Sequence, residues 1–314
     1  MRKQIVILDT LTLGEDLDLT ALEKFGDIRA YKNSTVDETF ERIQSAEIVI
    51  SNKVVLTEEM MQKSPKLALV CIAATGMNNV DLNAAQKLGI IVKNVSGYST
   101  QSVVQHTFGM LFYLIEHLNY YNGAVQTGLW SMSGLFTDLS HPFYEISGKK
   151  WGIIGMGTIG KEVAKVATAF GAKISYYSTS GNNLDQPYIN QPLDLLLSTS
   201  DIISIHAPLN EKTYALINET NLPLLKNKAV LLNLGRGGII NETDLAYELD
   251  RREIYAGLDV LEKEPLDPHN RLNQIEHKER LLITPHIAWT SIEARKRLLE
   301  GIIANIKSFL ENNR

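Results

Sequence analysis

The 314-residue sequence predicts the α/β class, with two doubly wound parallel-sheet domains. Three observations carry this reading. Short β-type runs alternate with helical patterns over residues 1–95, the spacing of parallel strands joined by crossover helices. At residues 150–160 an apolar run breaks into Gly155-Met-Gly-Thr-Ile-Gly160, and a helical pattern follows. The strand–helix alternation then resumes to residue 283 and closes on a last helix.

Taken in order, residues 5–8, 28–31, 48–51, 67–73 and 90–92 are the first strand candidates, and 17–25, 36–43, 57–62 and 80–88 the first helices. Thr57 followed by Glu58 and Glu59 is a helix start, with a capping hydroxyl and early acids. The segment lacks a phosphate-type glycine motif, so it is expected to be a domain of its own that holds no dinucleotide. Its fourth strand runs into Ala73-Ala-Thr-Gly-Met-Asn-Asn-Val-Asp81. Ligands of open parallel sheets bind at the carboxyl ends of strands. There Thr75 offers a hydroxyl and Gly76 and Met77 backbone N–H groups. A plain glycine turn, with Asn79 or Asp81 capping the next helix, is compatible with that role.

Residues 94–100 are small and polar, as in a hinge. Residues 101–126 are expected to form one long helix striped by Val104, Met110, Leu111, Leu114, Ile115 and Leu118, either as core or against a partner subunit. Residues 128–148 read as a loop whose Trp130, Phe136 and Phe143 are candidates for an interface arm.

At the glycine motif, Trp151, Ile153 and Ile154 form the strand, and Val163, Val166, Ala167 and Phe170 stripe the helix. Gly155 permits a tight turn, Gly157 lets a pyrophosphate approach the backbone, and Gly160 lets helix and strand pack closely. A diphosphate would sit on free N–H groups at the positive end of the helix dipole. A bare glycine triplet is weak evidence; its strand before and helix after make it a dinucleotide site. Strands then follow at 172–177, 202–205, 229–233, 255–258 and 281–283, helices at 193–197, 222–225 and 242–249, and a last helix at 292–310.

Composition excludes several classes. Hydrophobic residues make up 44% and charged residues 21%, as in a globular protein, and the net charge of −5 argues against nucleic acid as a partner. No apolar run approaches a membrane span, and the N-terminal run is too short for a signal peptide. The one cysteine, Cys71, cannot form an intramolecular disulfide, which fits a reducing cytoplasm, and its apolar strand makes it a poor nucleophile. The seven histidines form no ligand cluster, so no metal is expected.

Three polar groups follow strands. Arg236 lies in Asn233-Leu-Gly-Arg-Gly237, and its guanidinium fork suits a carboxylate. Asp259 and Glu264 follow the next strand, and His286 the one after. Each alone has an ordinary structural reading. Together they line one carboxyl edge beside the nicotinamide half of a dinucleotide.

With these blocks in view, the sequence resembles the D-isomer-specific 2-hydroxyacid dehydrogenase family over essentially its whole length. The resemblance rests on residues 74–81, the glycine motif, His206-Ala-Pro-Leu209, residues 233–237, Leu258-Asp-Val-Leu-Glu-Lys-Glu-Pro265 and Pro285-His-Ile-Ala-Trp289. It implies two flavodoxin/Rossmann-like domains around a cleft: 1–98 with 287–314 for substrate, the last helix crossing back, and 99–286 for the dinucleotide. It also implies a homodimer built on the cofactor domain. Arg236, Glu264 and His286 match the family's catalytic trio. In that reading Arg236 and His286 hold the substrate together with the N–H groups of Gly76 and Met77. The cofactor lies along Thr75, Gly155, Gly157, Thr158, Ile159, Gly160, His206, Ala207, Pro208, Leu234, Gly235, Asp259 and Ala288.

Two departures from the family pattern bear on specificity. Members that prefer NAD place an acid after the second strand of the unit. Here that position is Ser178, so NADP is not excluded, but no arginine stands nearby to attract a 2′-phosphate, and NAD is expected. Ile72 stands where phosphoglycerate-type members carry arginine, which weakens a phosphorylated substrate. Residues 286–289 and 177–181 look most like the glycerate dehydrogenase/hydroxypyruvate reductase branch. The alternatives are a D-lactate or broad 2-keto-acid reductase and, in another class, a dinucleotide-sensing corepressor. Trp289 either walls the pocket or packs between domains.

Overall fold

The computed structural model describes residues 2–312; Met1, Asn313 and Arg314, which the expected domain ranges include, lie outside the described residues. Two compact units form, Met1–Ser99 with Thr290–Arg314, and Thr100–Trp289, so Ile287, Ala288 and Trp289 stay with the second.

The first unit opens with β1 (Lys3–Ile7), β2 (Gly26–Ala30), α1 (Val36–Ile43), β3 (Ile48–Ser51), α2 (Glu58–Gln62), β4 (Leu69–Ile72), α3 (Leu82–Lys87) and β5 (Ile91–Lys93). Its strands pair in parallel in the order β2-β1-β3-β4-β5. Every residue of β3 and β4 is buried, the pattern of strands covered on both faces. Side-chain caps start the helices: Thr35 forms a capping box with Glu38, and Thr57 accepts from the Met60 N–H. At α3 the cap is Asp81, which accepts from the Ala84 N–H, while Asn79 donates to the Val54 carbonyl. Cys71 is buried in β4, and burial pushes its thiol pKa up to about 12, leaving it protonated and unreactive. The helix expected at 17–25 is only a 3-10 turn, Thr20–Phe25. Asp18 accepts from both the N–H and the hydroxyl of Thr20, which starts the turn there, and Gly26 already begins β2.

The second unit begins with α4 (Thr100–Ile115), α5 (Leu118–Gln126) and α6 (Leu129–Ser133). The single helix expected over 101–126 is therefore two. His117 adopts a left-handed φ of 52°, and its ring packs edge-on against Tyr255 at 5.9 Å. No glycine or proline marks the break in the sequence. The expected loop also holds α6, between left-handed Gly128 and Gly134.

There follow β6 (Lys150–Ile154), α7 (Thr158–Ala169), β7 (Lys173–Tyr177), β8 (Ile189–Asn190), α8 (Leu193–Thr199), β9 (Ile202–Ile205), β10 (Val230–Asn233), α9 (Glu242–Arg251), β11 (Tyr255–Leu258) and β12 (Leu281–Ile283). The two-residue β8 is too short to leave a sequence pattern, and the helix expected at 222–225 is only a 3-10 turn, Leu222–Leu224, that contains Pro223. The sheet is parallel, in the order β12-β11-β10-β9-β6-β7-β8. Neighbouring strand residues feed opposite faces. Ile153, Ile202 and Leu232 pack with α4 and α7 residues, whereas Ile154, Ile203 and Leu231 pack with Leu245 and Leu249 of α9.

The last helix, α10 (Ile292–Asn312), belongs to the first unit and lies against β4. Its Arg295 pairs with Asp16, and its Asn305 donates to the Asn94 carbonyl at 2.9 Å.

Candidate active site

In the second sheet the strand order reverses beside β6: β7 lies on one side and β9 on the other. The crevice at such a reversal is where open α/β sheets bind ligands. A cavity of about 790 Å³ opens there, lined among others by Gly155, Met156, Gly157, Ser178, Thr179, Ser180, His206 and Pro208.

The three motif glycines have different surroundings. Gly155 has φ +94°, and a Cβ there would lie 2.8 Å from the Ala207 nitrogen. At Gly160 a Cβ would lie 2.2 Å from the Gly155 carbonyl oxygen, so α7 can sit this close to the turn only without one. At Gly157, by contrast, a Cβ would meet nothing within 4 Å. Gly157 is the N-cap of α7, whose first N–H groups, those of Thr158 and Ile159 among them, have no partner within the helix. This space is shaped for an anion approaching the backbone. His206 lines the same cavity, and neither ring nitrogen has a partner among the described residues; burial lowers its pKa to about 3, so the ring is neutral. An open face at Gly157 and an unsatisfied imidazole both fit a dinucleotide. Ala207 and Leu234 are buried just past β9 and β10.

The wall past β7 carries Ser178, Thr179 and Ser180 without a carboxylate. Ser178 Oγ accepts from the Gly181 N–H at 3.1 Å. Lys212, Glu211, Asn182 and Asn183 also line the cavity. The sequence reading missed them because they come from loops without regular pattern; only their closeness to residues 206–209 and 178–181 hinted at them.

Arg236, Glu264 and His286 follow the adjacent strands β10, β11 and β12. Asn233, buried at the end of β10, braces the arginine loop: its amide donates to the Arg236 carbonyl at 2.9 Å and its oxygen accepts from the Gly235 N–H at 3.1 Å. The Arg236 guanidinium donates to the Gly235 carbonyl at 2.8 Å, and its other N–H groups have no partner among the described residues. Glu264 accepts from the Leu261 N–H through Oε1 at 3.0 Å, and its Oε2 lies 2.7 Å from His286 Nδ1. The carboxylate thus holds the Nδ1 proton, leaving Nε2 as the group for proton exchange. His286 itself has a left-handed φ of 55°.

Asp259 is 2% exposed. Its carboxylate accepts from Thr284 Oγ1 at 2.6 Å, the Ile287 N–H at 2.9 Å and the Ala288 N–H at 3.0 Å. Thr75, Gly76 and Met77 stand past β4 in the first unit, where the Thr75 hydroxyl donates to the Val95 carbonyl at 3.2 Å.

A glycine turn at a sheet reversal, with an acid-backed imidazole at the same carboxyl edge, defines a nicotinamide-dependent oxidoreductase. Comparison with known proteins identifies it further. Residues 108–288 match the family described as D-isomer specific 2-hydroxyacid dehydrogenase, NAD binding domain. Hydroxypyruvate reductase of Blautia hydrogenotrophica is 36% identical over 99% of this chain and 98% of its own length. Glycerate dehydrogenase of Methylorubrum extorquens is 35% identical over 99% and 97%. A solved structure from Thermus thermophilus superposes with a TM-score of 0.87 at 28% identity, covering 98% of this chain and 97% of its own. The chain belongs to the D-isomer-specific 2-hydroxyacid dehydrogenase family.

Proposed function

We propose that the protein reduces hydroxypyruvate or glyoxylate to D-glycerate or glycolate. The observation that carries the reading is the 2.7 Å contact between Glu264 and His286, which follow β11 and β12 in the sheet where Arg236 follows β10. The names of the two relatives support the hydroxypyruvate and D-glycerate couple of that pair. Arg236 pairs its guanidinium with the substrate carboxylate and polarises the C2 oxygen. When bound, the dinucleotide supplies or accepts the hydride at C2. His286 donates its Nε2 proton to the C2 oxygen, and in oxidation takes it back. Glu264 keeps the imidazole oriented through its 2.7 Å contact with Nδ1.

The dinucleotide would rest on Gly155, Gly157, Thr158, Ile159 and Gly160, with its adenosine ribose at Ser178. Lys212 supplies a cation for a 2′-phosphate and Ser178 offers no like charge against one, so the site accepts NADPH as well as NADH. The protein acts as a cytoplasmic homodimer. The segment around α6 supports the dimer: Met132 is 76% exposed, Phe136 95% and Leu139 77%, an apolar surface that calls for cover. A monomeric mass in solution would remove that element.

Nicotinamide absorbance, followed with hydroxypyruvate, glyoxylate and pyruvate side by side, tests the substrate. Turnover is expected to favour the first two. A preference for pyruvate would give the site to a lactate-type reductase, and nucleotide binding without turnover of any keto acid would make the protein a sensor.

A further inference from the structure

Behind the Glu264–His286 pair lies a second polar chain. It begins at His106, half-buried on α4. His106 Nε2 lies 3.0 Å from Thr284 Oγ1 and 3.5 Å from Asp259 Oδ1. The single hydroxyl hydrogen of Thr284 is committed to Asp259 Oδ1 at 2.6 Å, because an ionised carboxylate only accepts. Thr284 must therefore accept at its other contact, which puts the proton on His106 Nε2. The chain runs in one direction, from imidazole through hydroxyl to carboxylate.

The carboxylate in turn receives the N–H groups of Ile287 and Ala288, the two residues after His286. His286 has φ +55°, a backbone conformation that L residues with large side chains rarely adopt unless their surroundings impose it. The buried Asp259 carboxylate imposes it, by tying the next two peptides to the end of β11.

We infer that His106 is a positioning residue for the reaction: through Thr284 it fixes Asp259, and Asp259 holds the 286–288 turn at the angle that presents His286 to substrate. The inference rests on the reading of His286 as proton donor. A donor misplaced by even 1 Å slows proton transfer without emptying the cofactor site.

The test measures kcat, KM for hydroxypyruvate and Kd for NADH in His106→Leu, His106→Gln, Thr284→Val and the Leu/Val double variant. His106→Leu is expected to lower kcat by roughly 10- to 100-fold, the scale for a misplaced catalytic group. Its NADH affinity and KM should stay near wild type. His106→Gln keeps an N–H donor and should recover most of the rate. The double variant should be no slower than the worse single one. Wild-type kcat in His106→Leu overturns the inference, as does a Gln variant no better than Leu, or a rate loss matched by lost NADH binding. His286→Ala is run alongside. If it keeps its activity, the proton-donor reading itself fails; if it is inactive while His106→Leu is unimpaired, only the positioning role fails.

Discussion

The glycine motif offers a way to separate folding from cofactor binding with two one-methyl changes. At Gly160 the added Cβ would lie 2.2 Å from the Gly155 carbonyl oxygen and 3.3 Å from Ile153 Cγ2. The turn and α7 must move apart, and overpacking of this kind costs about 1–3 kcal/mol. Better helix propensity in Ala returns roughly 0.5–1 kcal/mol. The net cost is then at most about 2.5 kcal/mol, so melting of the unit should fall by up to roughly 10 °C, at ~2–4 °C per kcal/mol for a unit of this size. At Gly157 the backbone (φ −81°, ψ −163°) accepts alanine and the Cβ meets no atom of the protein, so stability should stay within about 0.5 kcal/mol. That methyl occupies the space reserved here for the diphosphate. Losing one charge-assisted N–H···O contact costs about 1.5–3 kcal/mol, or roughly 10- to 150-fold in Kd. Scanning calorimetry gives the melting point, and NADH fluorescence titration gives the affinity. A Gly157→Ala protein that binds NADH like wild type would refute the placement of the diphosphate, whatever Gly160→Ala does.

Two further outcomes follow from the same site. Ser178→Asp should weaken NADPH by like-charge repulsion while sparing NADH, and Lys212→Ala should weaken NADPH alone; an unchanged NADPH/NADH affinity ratio in both would mean that the ribose lies elsewhere. His206 should make the fold sensitive to mild acid. Its folded pKa, about 3, lies below the unfolded value of about 6.5, so between those values the unfolded chain binds the extra proton. Stability is therefore complete above pH 6.5 and falls on acidification, by at most about 1.4 kcal/mol per pH unit. Urea midpoints between pH 7 and 5 should drop less steeply in His206→Leu, and identical slopes would contradict a neutral buried ring.

Local pattern decided which elements could be read in advance. Strands at 48–51, 202–205, 255–258 and 281–283 are short, mostly apolar runs, and their bounds match the folded strands. So does the helix at 36–43, which starts at a Thr35/Glu38 capping box. What escaped was set by tertiary contact or by small size. The break at His117 has no glycine or proline to announce it, its ring meets Tyr255, far along the chain, only in the fold, and β8 is two residues long. The site divides in the same way. The glycine motif and Arg236, Glu264 and His286 announce their chemistry in short blocks. The contact between Glu264 and His286 spans 22 residues and follows from β11 and β12 being neighbours. Lys212 at the cavity wall and His106 beside Thr284 belong to no chemical pattern in the sequence, and only the folded chain brings them into place.

The most direct test of the account is His286→Ala, assayed for hydroxypyruvate reduction alongside NADH binding. Loss of a general acid should lower kcat by about 10²–10⁴-fold with NADH affinity near wild type. Undiminished turnover in that variant would contradict the assignment of proton transfer to His286.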